Sequence, residues 1–138
     1  MHQVLFFSRG GNTKKLAEAI AGQLGVTVSE IESGALGPAD SILFLGSGCY
    51  ASKPDKTVLD FIAKNNFAGR NVAIFGTSAS GRGNEVRFLS EVLKGKGAKV
   101  LGSYHCTGQW LWIVRRGHPN KEELSGAQRF ALEMTKSK

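Results

Sequence analysis

The chain has 138 residues, enough for one domain with a sizeable buried core. Its 41% hydrophobic and 21% charged residues are ordinary for a globular protein, and no apolar run approaches the roughly 20 residues that span a bilayer. The formal charge of +7 favours anionic partners, although the scattered lysines and arginines also fit a generally basic, solvated surface.

The chain opens with Met1 and then the apolar run Val4–Phe7, without the basic region and long apolar core of a signal peptide. We therefore expect a cytoplasmic protein. The only cysteines are Cys49 and Cys106, whose separation suits neither a zinc pattern nor a disulfide framework. This cysteine content is consistent with a reducing compartment, and we expect no metal site.

Apolar segments with strand character recur along the chain. Nearly continuous apolar runs are typical of strands buried on both faces in a parallel sheet. One weaker, alternating segment fits an edge strand. In chain order the predicted strands are Val4–Phe7, Val26–Ile31 at the edge, Ile42–Leu45, Val72–Phe75 and Val100–Tyr104.

Between these strands, apolar residues recur at the spacing of amphipathic helices. Asn120 and Glu123 form a candidate capping box after Pro119, so the last helix is predicted to begin near Lys121. The connection 32–40 is too short for a long helix, and a single turn or an irregular crossing is expected there. The apolar stripes contain Leu16, Ile20 and Leu24; Val58, Phe61 and Ile62; Val86, Leu89 and Leu93; and Leu124, Ala127, Ala131 and Met134.

Strands that alternate with helices indicate a parallel sheet with helices on both faces. The predicted fold class is therefore α/β, a three-layer α-β-α sandwich with a five-stranded parallel sheet. Residues 1–138 form one domain in this interpretation, because the sequence shows no linker, internal repeat or low-complexity segment.

The stretch from Ser8 to Thr13 follows the first strand and opens the first helix. Gly10 and Gly11 allow a sharp turn and a close approach to a ligand. The free N–H groups and the positive dipole end of a helix attract anions, and Ser8, Asn12 and Thr13 offer side-chain hydrogen bonds. The spacing is neither a Walker A loop nor a dinucleotide GxGxxG. We predict a phosphate site, with a plain glycine-rich turn capped by Asn12 or Thr13 as the alternative.

The run Ser8-Arg9-Gly10-Gly11-Asn12-Thr13 resembles the phosphate loop of the flavodoxin family, which usually reads Ser/Thr-x-Thr-Gly-Asn-Thr. Its last three residues match the family pattern. Gly10 departs from the pattern, because the family usually has a hydroxyl residue there. One side-chain donor is thereby lost, and Arg9 is the candidate that compensates electrostatically.

In open α/β sheets, ligands bind at the carboxyl ends of the strands, where the strand order reverses. The resemblance implies the order 2-1-3-4-5. The loop 46–55 is similar to the first flavin-contacting loop of the family, and Tyr50 either stacks on the flavin or caps the edge of the core. The loop 76–83 resembles the second flavin loop without its aromatic residue, and a flexible β–α loop is the alternative.

The segment after the fifth strand also resembles a subtype of flavodoxin-domain proteins. Cys106 and Gly108 form the Cys-x-Gly start of an insertion, and Gly-His-Pro at 117–119 precedes the last helix. Within the insertion, Trp110 and Trp112 either lie near the flavin ring or pack the insertion against the sheet.

The resemblance covers nearly the whole chain and implies an FMN-binding protein that transfers electrons between redox partners, with FMN as the redox group. No Ser-His-Asp or Cys-His arrangement indicates a catalytic residue. The resemblance implies an electron carrier rather than a stand-alone oxidoreductase. The predicted cofactor-binding residues are Ser8, Arg9, Gly10, Gly11, Asn12, Thr13, Ser47, Gly48, Cys49, Tyr50, Thr77, Ser78, Ala79, Ser80, Gly81, Gly83 and Trp110.

Flavodoxin carriers are commonly acidic, whereas this chain is basic. Positive charge near the flavin stabilises its anionic reduced form and raises the low potential. It also favours redox partners with acidic docking surfaces. We expect no nucleic-acid partner, no membrane association, and a monomer or weak dimer.

Two other functions remain open at this stage. One is an NAD(P)H-dependent FMN quinone or flavin reductase, although the sequence shows no obvious nicotinamide site. The other is a flavodoxin-like binding module that has lost FMN, which the glycine at Gly10 and the missing second aromatic motivate. The flavodoxin-like partner of ribonucleotide reductase activation is disfavoured, because its glycine-rich loop after the third strand is not matched.

Overall fold

The computed structural model describes residues 2–7, 12–31, 36–37, 41–50, 53–54, 56–78, 84–107 and 121–136. Strands and helices alternate along these residues. Their bounds are β1 (His2–Phe7), α1 (Asn12–Leu24), β2 (Val28–Glu30), β3 (Ile42–Tyr50), β4 (Lys53–Pro54), α2 (Lys56–Lys64), β5 (Asn71–Ser78), α3 (Asn84–Gly95), β6 (Lys99–Thr107) and α4 (Lys121–Lys136). No helix within the described residues is long and apolar enough to cross a membrane.

Five of the described strands form a parallel sheet in the order β2-β1-β3-β5-β6. Without the short β4, this is the predicted order 2-1-3-4-5, which is confirmed, and β2 lies at an edge as predicted. The sequence did not indicate β4. This two-residue strand pairs antiparallel with the end of β3, with Cys49 opposite Pro54 and Tyr50 opposite Lys53.

Alternate residues of the central strands face opposite helix layers. Val4 and Phe6 of β1 belong to the core beneath α1 and α4, whereas Leu5 belongs to the core beneath α2 and α3. In β3, Phe44 likewise belongs to the core beneath α1 and α4, and Leu45 belongs to the core beneath α2 and α3. Burial on both faces explains the continuous apolar runs and confirms the three-layer sandwich.

The apolar stripes predicted for the helices lie in these two cores. The buried members are Leu16, Ile20, Val58, Phe61, Ile62, Val86, Leu89, Leu93, Ala127 and Ala131. Leu24, Leu124 and Met134 are partly buried against the same cluster. The stripes therefore identified the correct face of each helix.

The central strands extend further than their apolar runs. Gly46 pairs with Phe6 on one side and Phe75 on the other, and Gly48 pairs with Thr77. The predicted loop 46–55 therefore begins inside the sheet. Backbone pairing with strands on both sides keeps this segment extended despite the low strand preference of glycine.

Two helices end in the same glycine-containing turn. After α1, the Val26 N–H donates to the Ala21 carbonyl at 3.0 Å, and Gly25 between them has a φ of 72°. Gly97 has a φ of 84° in the equivalent turn after α3. This is the Schellman arrangement, in which a left-handed residue lets the chain leave the helix while its last carbonyls remain bonded.

The start of α4 is fixed on β6 by a side chain. The Tyr104 hydroxyl donates to the Glu123 carbonyl at 2.7 Å, and its ring lies 5.8 Å from that of Phe130. The helix begins at Lys121, as predicted. Asn120, the proposed cap, lies outside the described residues.

Gly22 and Gly25 form a matched pair for testing the turn after α1. An added Cβ would meet open space at both positions, but Gly25 has a φ of 72° whereas Gly22 lies inside the helix. Gly25→Ala should lower the free energy of unfolding by about 1 kcal/mol, because alanine is strained there. Gly22→Ala should raise it by about 0.5–1 kcal/mol. Urea denaturation measures both values, and shifts of the same sign would contradict the assignment.

Candidate functional site

The central strands bring their carboxyl ends to one edge of the sheet, beside the start of α1. Phe7 of β1 pairs with Ser47 of β3, which pairs with Gly76 of β5. One position further, Gly48 pairs with Thr77. Because β1 and β3 lie where the strand order reverses, this edge is the place where α/β sheets of this kind bind ligands.

Three hydroxyl side chains are buried at this edge. Thr13 is 1% exposed, Ser47 is 0% exposed and Thr77 is 5% exposed. The Oγ1 atoms of Thr13 and Thr77 are 3.0 Å apart and hydrogen-bonded. This bond connects the first turn of α1 to the end of β5, two predicted ligand-binding segments that are far apart in the sequence.

Ser47 uses its hydroxyl differently. Its Oγ donates to the carbonyl of Gly48 at 2.7 Å. Since a hydroxyl has a single proton, this bond uses the proton of Ser47. The Ser47 hydroxyl thus supports the backbone at the end of β3.

A glycine is required immediately before Ser47. A Cβ added to Gly46 would lie 2.1 Å from Cε2 of Phe75, a fully buried ring on the neighbouring strand. Real Cβ atoms do not approach so closely, so any larger residue would displace this ring from a tightly packed core. The aromatic packing therefore fixes the backbone from which Ser47 and Gly48 extend.

The start of α1 is positively charged. Its first turn contains no acidic residue, and Lys14 and Lys15 there are exposed. Acidic residues are normally favoured at the positive end of a helix dipole, and the first turn of α4 follows that preference with Glu122 and Glu123. Two lysines add to the positive potential at α1, which is unfavourable for the ligand-free helix and favourable for a bound anion.

Lys14 and Lys15 were missed as functional candidates by the sequence reasoning. The signal that could have found them was the absence of an acidic residue just after the predicted phosphate turn. The Thr13–Thr77 bond had no local signal, because its partners belong to different strand–helix units.

The structure places the predicted cofactor-binding residues in three groups. Those that it brings together at the carboxyl edge are Thr13, Ser47, Gly48 and Thr77. For a second group, the structure gives the position of the backbone, at the first residue of α1 or the last residues of β3 and β5. This group contains Asn12, Cys49, Tyr50 and Ser78. Those outside the described residues are Ser8, Arg9, Gly10, Gly11, Ala79, Ser80, Gly81, Gly83 and Trp110.

The fold and this edge define a doubly wound α/β protein whose candidate ligand site lies where the strand order reverses. The chain belongs to the flavodoxin family, because the family profile described as a flavodoxin domain matches residues 3–134. Membership of this family implies flavin binding, typically of FMN. Comparison with curated proteins gave no significant match.

Solved flavodoxin structures share the fold. A flavodoxin from the domain Archaea has a TM-score of 0.79 and 19% identity, and the match covers 98% of this chain and 96% of that one. Flavodoxin 2 from Bacillus cereus, in the oxidised form, has a TM-score of 0.73 and 20% identity, with 99% and 98% covered. Two-electron reduced flavodoxin from Megasphaera elsdenii has a TM-score of 0.69 and 22% identity, with 93% and 98% covered.

The described groups fit the phosphate of FMN. A phosphate needs hydrogen-bond donors and positive potential. The edge offers the Thr13–Thr77 hydroxyl pair, the start of α1, and the exposed cations Lys14 and Lys15. The donor set therefore suits an anionic end group.

Charge reversals at the start of α1 and, as a control, at the end of α2 test the electrostatics of this edge. Lys14→Glu should raise the free energy of unfolding of the ligand-free protein by about 0.3–1 kcal/mol, because it places an anion at the positive end of α1. It should also weaken the binding of FMN. The measurements are urea denaturation at low salt and a fluorescence titration with FMN.

The matched control is Lys64→Glu, since Lys64 is exposed in the last turn of α2. An anion is unfavourable there, so the free energy of unfolding should fall by a similar amount while FMN binding is unchanged. Stabilisation by both substitutions would show that relief of the overall positive charge, rather than the helix dipole, determines the effect.

Proposed function

We propose that this chain binds FMN through its phosphate at the carboxyl edge of the sheet and transfers electrons between partner proteins. The observation that supports it most directly is the buried Thr13–Thr77 pair beside the positively charged start of α1. The flavodoxin-domain match over residues 3–134 supports the same cofactor. When bound, FMN supplies the redox chemistry.

In this proposal the end of β3 holds one side of the flavin ring. The strand extends to Tyr50, and β4 returns antiparallel so that Tyr50 lies opposite Lys53. This backbone pairing supports the assignment of Tyr50 as a stacking residue, because it fixes the tip of β3 at the ligand-binding edge. Trp110, the other aromatic residue among the predicted cofactor-binding residues, belongs to a segment outside the described residues.

Partner proteins with acidic docking surfaces fit this chain best. Lys14 and Lys15 are exposed beside the proposed phosphate site, Lys121 is exposed at the start of α4, and the chain has a formal charge of +7. Opposite charges on two docking surfaces accelerate encounter and fix orientation. The same positive charge favours the anionic reduced flavin, which raises the low potential of the bound cofactor.

Flavin binding is the first test. The protein freed of cofactor should take up FMN with a change in the visible absorption spectrum and quenching of flavin fluorescence, and heat denaturation should release a compound that chromatography identifies as FMN. A protein that shows no uptake of FMN would exclude the electron-transfer function and leave the fold without an assigned role.

Electron transfer is the second test. The reduced protein should reduce a small metalloprotein with an acidic surface faster than one of similar potential with a basic surface, and the faster rate should fall as salt rises. Steady-state oxidation of NADPH with a quinone is the discriminating measurement. Rapid turnover in that assay would assign the chain to the flavin reductases and contradict the carrier function.

A further inference from the structure

The two hydroxyl groups of the Thr13–Thr77 pair have one proton each, and the hydrogen bond between them uses only one of these two protons. Each hydroxyl has a single proton and can accept two bonds. The 3.0 Å contact accounts for one proton, and neither hydroxyl has another hydrogen bond within the part of the chain that the structure describes. Both side chains are almost fully buried, where a donor without an acceptor is strongly unfavourable. The second proton therefore requires an acceptor outside the described residues.

The positions of the two residues indicate which hydroxyl has that proton. Thr13 is the second residue of α1, in the turn whose free N–H groups face an anion. Thr77 lies in the sheet, with Gly48 of β3 on one side and Cys106 of β6 on the other. Thr13 is therefore the member of the pair that belongs to the phosphate turn.

The chemistry of the phosphate then fixes the direction of the bond. A phosphate dianion only accepts hydrogen bonds, so Thr13 must donate its single proton to it. Thr13 can then only accept from Thr77. Ser47 cannot replace Thr77 in this role, because its own proton is donated to the carbonyl of Gly48.

We infer that Thr77 is a positioning residue for phosphate recognition: its hydroxyl donates to Thr13 and thereby directs the Thr13 proton towards the phosphate of FMN. This inference rests on the proposed function. It assigns Thr77 a role that acts through Thr13, rather than the direct contact with the flavin that the sequence resemblance implies. Substitution of Thr77 should consequently weaken the binding of FMN, which has the phosphate, and leave the binding of riboflavin, which lacks the phosphate, unchanged.

The test compares the affinities of the cofactor-free protein for FMN and riboflavin by fluorescence quenching. Thr77→Val should weaken FMN binding by about 3- to 10-fold and change riboflavin binding by less than about twofold. Thr77→Ser keeps the hydroxyl and should restore FMN affinity. In a Thr13→Val background, Thr77→Val should have no further effect on FMN, because the residue through which it acts is gone.

Other outcomes overturn the inference. Equal losses of FMN and riboflavin affinity in Thr77→Val would mean that Thr77 contacts the flavin directly. A loss of FMN affinity that persists in the Thr13→Val background would mean that the two threonines act independently. Thr77→Ala, which adds no new methyl contact, serves as a second variant if Thr77→Val fails to fold, and urea denaturation checks the fold of each.

The wild-type titrations separate this inference from the proposed function. If the wild-type protein binds FMN no more tightly than riboflavin, flavin binding is retained but the phosphate role of the threonine pair is overturned. A wild-type protein that binds neither compound would overturn the proposed function, and the inference with it.

Discussion

The parallel pairing of β1, β3 and β5 is the constraint on which the proposed site depends. In-register pairing aligns Phe7, Ser47 and Gly76 in one row, so that these strands end at the same edge. A shift of one residue in β3 would exchange its two faces, so that Phe44 and Leu45 would enter the opposite cores and Gly46 would no longer lie against the Phe75 ring. Side-chain packing in the two cores therefore fixes the register, and the register determines which polar residues meet at the edge.

The same burial explains how much of the fold was predictable. Val4–Phe7, Ile42–Leu45 and Val72–Phe75 are nearly continuous apolar runs because helices cover both faces of those strands. The extension of β3 from Gly46 to Tyr50 was not predictable in this way. The glycines and the serine at its start have no strand preference of their own, and the strands β1 and β5 that keep them extended are distant in sequence. Its last two residues pair with the nearby β4.

The candidate site was predictable as a location but not as a set of interactions. The glycine-rich turn before α1 indicates an anion, because the properties of a helix start are local. The Thr13–Thr77 bond depends on the strand order, which brings the start of α1 close to the end of β5. No spacing rule within either segment could have shown it.

The significance of the positive charge at the start of α1 was likewise not predictable from the sequence alone. By composition alone, Lys14 and Lys15 are two of 18 basic residues on a basic chain. They become informative once the helix is known to begin at Asn12, since cations are then next to the positive end of its dipole. In the first turn of α4, Glu122 and Glu123 show the ordinary arrangement in the same molecule.

Under the proposed function, Gly10 removes a hydroxyl donor that the family usually has at the phosphate turn, and two different kinds of interaction remain. The lysines and the helix start act through charge, which salt screens at exposed positions over about 8–10 Å. The Thr13 proton acts through a directed hydrogen bond from a buried side chain, which salt screens much less. Under this proposal, phosphate recognition combines electrostatic attraction at the surface with a directional hydrogen bond from the buried Thr13 hydroxyl.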